Sequence, residues 1–150
     1  MKTLSISVIL VFACLFAYSQ IPRAEFKAIP KRTKVIYVET GKTPEANFKL
    51  VINTLLDAGF DIDKTDKEYG IITTEYKPLP RVGNYKLRLR ITDKIVVSGT
   101  LLSGISIEMY GVRSEDSPEA IEKINTQKGV YGIAFTEMYK LSKKLGEISY

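Results

Sequence analysis

Histidine is absent from the 150-residue chain, and cysteine occurs once, at Cys14. Without an imidazole, serine–histidine and cysteine–histidine nucleophile systems are excluded, and so are haem held by histidine and zinc sites of the usual nitrogen and sulfur types. Phosphate-cradling glycine loops are missing too. Gly129 and Gly132 have neither the spacing nor the preceding strand that such a loop requires, and they read as close helix packing. Ser142-Lys143-Lys144 does not make a Ser-x-x-Lys motif. What remains for catalysis is carboxylates, lysines, tyrosines and hydroxyls, so a hydrolase with paired carboxylates is the enzymatic alternative to a protein with no catalysis and no cofactor. The only dense acidic cluster is Asp61, Asp63, Asp66 and Glu68. Its spacing resembles a calcium loop, but Thr65 stands where Asp or Asn is preferred and Asp66 where the loop needs glycine. Alternation about Ile62 explains Asp61 and Asp63 as outward-facing strand residues, so no metal site is expected.

Long apolar runs are equally scarce. The longest spans Leu4 to Ala17, after Met-Lys-Thr and before Tyr18-Ser19-Gln20. That order is basic start, apolar centre and small-residue cleavage site, so residues 1–19 are predicted to be an export signal cut after Ser19. The run is too short to cross a hydrocarbon core, which takes about 20 residues. Cys14 behind Val11-Phe12-Ala13 resembles a lipobox spoiled by the bulky Phe12, which makes a lipid-anchored outer-membrane form the lesser alternative. Cleavage after Ser19 removes the only cysteine, so stability has to come from an ordinary core without disulfides.

The net charge is +5, and loss of Lys2, the only charge before Gln20, lowers it by one to +4. Such a balance allows attraction to anionic surfaces, but no reader motif accompanies it and nucleic acid is not an expected partner.

Residues 20–34, with Pro22, Pro30 and several basic side chains, show no apolar period and read as an extended basic linker. Residues 35–150 then form a single domain. Val35–Glu39 fits a strand. Thr43-Pro44-Glu45 suits a helix start, Phe48, Val51, Ile52 and Leu55 share one face, and Gly59 is the stop. Strands over 60–64 and 70–77 make a hairpin, and Lys77-Pro78-Leu79-Pro80-Arg81 is expected to be an exposed connection. Tyr85–Ile91 alternates strictly, and 95–109 supplies a strand pair or bulged strand with Gly99 and Gly104 as bends. Ser117-Pro118-Glu119 is expected to open a short helical turn through Ile124. A helix from about Gly129 carries Ala134, Met138, Leu141 and Leu145 on one face. The expected fold is α+β: a curved antiparallel sheet of about five strands in β-α-β-β-β-β-α order, with two helices on one face.

The feature that most suggests binding is the row Lys86, Arg88 and Arg90, which strand geometry spaces at about 7 Å. Arg81 and Lys77 lie upstream. Tyr85 joins the candidate set because it falls near a strand end, as do Tyr69, Tyr76 and Tyr110, where rings line grooves. The competing reading is a charged sheet face kept for solubility and against edge pairing.

The helix ending Leu55-Leu56-Asp57-Ala58-Gly59-Phe60, the hairpin 66–74 and the strand 85–91 together resemble small exported domains of Bacteroidetes-type bacteria with a TATA-binding-protein-like or helix-grip arrangement. The element order is similar as well to the repeated domain in an accessory lipoprotein of the outer-membrane barrel-assembly machinery. The resemblance implies a fold and a periplasmic or secreted location, not an activity. The resulting expectation is a non-catalytic envelope module that binds an envelope protein or an anionic polymer. A small-ligand carrier with a pocket beneath Ala134 and Met138 is the alternative.

Overall fold

The computed structural model describes residues 21–80, 82–102 and 118–150. The predicted export signal, Cys14, Arg81, Gly104, Tyr110 and Ser117 lie outside the described residues.

The stretch expected to be an extended linker instead forms helix α1, Arg23–Ala28. Ile21, Phe26 and Ile29 are buried, so the segment belongs to the core. Six helical residues are too few to display an apolar period, which is why the pattern reads as irregular. Phe26 meets Phe135 edge-on, with ring centres 6.4 Å apart. Glu25 accepts hydrogen bonds from the Lys143 ammonium at 2.7 Å and the Tyr139 hydroxyl at 2.6 Å. Those two bonds, Lys143's first, hold the Glu25 carboxyl below the usual carboxylate range. Burial, and then the bond to Glu25, push the Tyr139 phenol up.

Strand β1, Val35–Glu39, leads to helix α2, Pro44–Asp57. The Thr43 hydroxyl accepts the Ala46 N–H at 3.3 Å and Pro44 takes the first helical position, as the sequence predicts. Next come β2 (Ile62–Asp66), β3 (Ile71–Thr74), β4 (Lys77–Leu79), β5 (Gly83–Ile91), β6 (Ile95–Leu102) and β7 (Glu119–Ala120). Helix α3, Val130–Leu145, and strand β8, Glu147–Ser149, complete the chain.

The fold is α+β with one antiparallel sheet, but the described residues form eight strands and three helices rather than the expected five and two. Its path runs β2-β3-β5-β6-β1-β8, with β4 beside β5 and β7 beside β6. The strand β4 occupies what was expected to be an exposed connection. Pro78 sits opposite Asn84 on a strand that, among the described residues, pairs on one side only, where a missing donor can face away from the ladder. Likewise β7 replaces an expected helical turn. Gly99 explains it: a side chain there would meet the Ile121 Cδ1 at 2.6 Å, and without one the Ile121 N–H reaches the Gly99 carbonyl at 2.9 Å.

Helices α2 and α3 touch each other and cover the same sheet face, α2 against β2 and β5, α3 against β1 and β6. Beneath them lie Ile36 and Val38 of β1, Leu87 and Leu89 of β5, and Ile95 and Val97 of β6, each almost wholly excluded from water. Ala134, Met138, Leu141 and Leu145 are all buried, as their shared face requires.

Because α1 is part of this core, Phe26→Ala is expected to lower the unfolding free energy by about 3–5 kcal/mol. Urea unfolding followed by circular dichroism measures it. A loss under about 1 kcal/mol would mark residues 21–29 as a tether after all.

Candidate functional site

The strand β5 alternates as its sequence demands: Tyr85, Leu87, Leu89 and Ile91 are buried, Arg88 and Arg90 exposed and Lys86 half-buried. Its pairing fixes what surrounds each cation. Arg88 stands opposite Thr73 of β3 and Ser98 of β6, Arg90 opposite Ile71 and Val96, and Lys86 opposite Thr100. Directly opposed residues of antiparallel strands share a face. The ladder therefore lies on the sheet face turned away from α2 and α3.

A further cation joins it. Lys64 of β2 pairs with Thr73, which places it in the row of Arg88, two strands and about 10 Å away. Sequence reasoning misses Lys64 because strict alternation from Ile62 would send both side chains to one face. The register shifts between Ile62, which pairs with Thr74, and Lys64, and this irregularity turns Lys64 outward. Lys64, Lys86 and Arg88 share a shallow concavity of about 380 Å³ with Asp66, Thr73 and Thr100. The Lys86 ammonium lies 4.8 Å from the centre of the Tyr76 ring, which steadies it on this face. Asp66 accepts the Tyr69 N–H at 3.1 Å, so one of its oxygens is already engaged in the β2–β3 turn.

Among the described residues, ion pairs join Lys34 to Glu122, Lys94 to Glu39, Lys140 to Glu137 and Lys143 to Glu25. None involves Lys64, Lys86, Arg88 or Arg90. Compared with protein-family models and with curated proteins, the chain matches none of them.

The other expected site residues are placed differently. Tyr85 is a correction: it is 4% exposed, on the helix-covered side, with its ring edge-on to Phe60 at 5.4 Å. It shares the parity of Leu87, which outweighs its position near a strand end. Burial above all, and the charge of Glu137 second, push its phenol up. Lys77 is also turned inward. Its ammonium donates to the Ala58 carbonyl at the C-terminal end of α2 and lies 4.7 Å from the Phe60 ring centre. Ala134 and Met138 are fully buried, and neither lines the concavity on the open face or the groove at the start of α2. Among the described residues no group of three or more acidic side chains is gathered closely enough to hold a metal, and no helix is long and apolar enough to cross a membrane.

One buried hydroxyl positions the ladder. Both β3 and β4 pair with the same edge of β5 and leave a gap opposite Lys86 and Leu87. The Thr74 hydroxyl fills that gap by accepting the Leu87 N–H at 3.0 Å, and it donates to the Glu75 carbonyl at 2.9 Å. Thr74→Val keeps the shape and removes the acceptor, so it is expected to cost about 1–3 kcal/mol, the penalty of an unsatisfied buried donor. Thr74→Ser should retain the bond and lose less. Chemical denaturation of both variants checks this, and a valine variant as stable as wild type would refute the bridging role.

Proposed function

We propose that the chain is an exported, non-catalytic module of the cell envelope that grips an anionic polymer, or the carboxylate-rich surface of an envelope protein, through its open sheet face. The observation that carries this reading is the placement of Lys64, Lys86, Arg88 and Arg90 on the face opposite both long helices, with no ion pair to any of them among the described residues. Cations used only for solubility can be scattered. Here they follow two directions of one lattice, about 7 Å apart along β5 and about 10 Å apart across to β2. A repeated anion can meet several of them at once, and each added contact reinforces the last.

The chemistry of the face matches this reading. Guanidinium groups hold carboxylates, phosphates or sulfates through paired hydrogen bonds, whereas a lysine offers a point charge. The sequence has no imidazole and no thiol after Cys14, and the carboxylate that lines the concavity, Asp66, is already engaged by the Tyr69 N–H, which favours contact over catalysis.

Immobilised heparin serves as a model polyanion for the test. Wild-type protein is expected to bind with an affinity that falls as salt rises. The combined change Lys86→Glu, Arg88→Glu and Arg90→Glu should weaken binding at least tenfold while leaving the unfolding midpoint nearly unchanged. The same variant should lose whatever wild type retains from envelope extract. Equal retention of the two proteins, or none by either, would overturn the proposal.

A further inference from the structure

A second surface, which shares only Arg90 with the cation ladder of the open sheet face, has the make-up of a small-molecule site. A groove of about 750 Å³ lies between the first turn of α2 and the turn joining β2 to β3. That is within the span of ordinary ligand pockets, about 300–1,000 Å³. Its apolar lining comes from Phe48 of α2 and Ile91 at the end of β5, both nearly buried, and from Tyr69 on the turn.

Tyr69 is the unusual member. It is 65% exposed, more than any other large apolar side chain among the described residues. Exposure of that degree would mean little on a loose loop, but this turn is fastened at both ends. The Tyr69 N–H is held by Asp66 at 3.1 Å, and the carbonyl of the next residue, Gly70, accepts the Ile91 N–H at 2.7 Å. Gly70 has a left-handed φ of 63°, and a side chain there would meet the Ile91 carbonyl oxygen at 2.2 Å. Only glycine lets the turn sit so close to β5. The backbone thus presents the ring as a preformed wall facing Phe48 and Ile91, and its hydroxyl makes no hydrogen bond among the described residues. An exposed aromatic ring carried on a fixed stretch of backbone beside an apolar floor is what a ligand's apolar body seeks.

The rim selects the charge. Lys49, Lys67 and Arg90 line the groove with Glu45 and Glu68, an excess of one positive charge, and none of them forms an ion pair among the described residues. One negative group is drawn in. A cation is opposed by the excess.

We propose that this groove binds an amphipathic monoanion, an aryl or medium-chain alkyl carboxylate, with its body against Tyr69, Phe48 and Ile91 and its charge at the lysines. The test uses the fluorescence of 8-anilinonaphthalene-1-sulfonate, a monoanionic aromatic probe, titrated into the folded protein. One saturable site is expected, displaced by decanoate and not by decyltrimethylammonium. Tyr69→Ala should weaken the probe at least fivefold. The pair Lys49→Glu and Lys67→Glu should weaken it at least tenfold, while the uncharged probe N-phenyl-1-naphthylamine changes less than twofold. All of these positions bear solvent-facing side chains, and an unchanged unfolding midpoint confirms that the fold survives. The pair Lys86→Glu and Arg88→Glu, confined to the open face, should leave the probe's affinity unaltered, so failure here is separable from failure of the polyanion reading. No saturable binding, indifference to the Tyr69 and lysine changes, or loss of binding in the open-face variant would each overturn the proposal.

Discussion

The placement of the whole molecule depends on the register of β5. Eight residues of this strand, Asn84 to Ile91, are paired with β6, and its other edge carries both β3 and β4. A slip of one residue would move Leu87 and Leu89 into water and drive Arg88 and Arg90 under the helices. Burying an unpaired guanidinium costs many times what the leucines gain from burial, so the alternative register is closed. The requirement that builds the core therefore also sorts the cations onto the opposite face. Pattern and surface have one cause.

What surrounds β5 completes this division. Helices α2 and α3 close over the apolar side, and α1 is fastened across α3 by the Phe26–Phe135 contact and by the shared Glu25 oxygen. The opposite face has no helix among the described residues, and it sets the cations among polar side chains and apolar ones such as Tyr37, Ile71 and Val96. The sheet's outer strands are kept short or charged, β8 with three residues and β2 with Asp63, Lys64 and Asp66 along it. Such edges resist pairing with another chain.

How much of this could be read from residues alone follows from the range of each signal. The helix α2 was legible because capping, a first-position proline and a four-residue apolar face agree within fifteen residues, 43 to 57. The side-chain parity of β5 was legible because the seven residues from Tyr85 to Ile91 alternate without interruption. The six-residue helix α1 and the strands β4, β7 and β8, of two or three residues each, are too short to show a period, and each exists through contacts with distant segments. The same limit explains the site. Lys86, Arg88 and Arg90 were found within one strand, whereas Lys64 is delivered by an irregularity in another. Tyr85 was misplaced because nearness to a strand end was weighed above its parity, and the groove beside Tyr69 joins three segments that no local pattern connects.

Chemical accessibility along β5 tests the division into core and ladder most directly. In a Cys14→Ser background each position from Lys86 to Arg90 is replaced singly by cysteine, and the rate of reaction with a thiol reagent is measured in the native state. The account predicts a zigzag: rapid labelling at 86, 88 and 90, and labelling at least a hundredfold slower at 87 and 89. Uniform rates along the strand, or the opposite alternation, would contradict it.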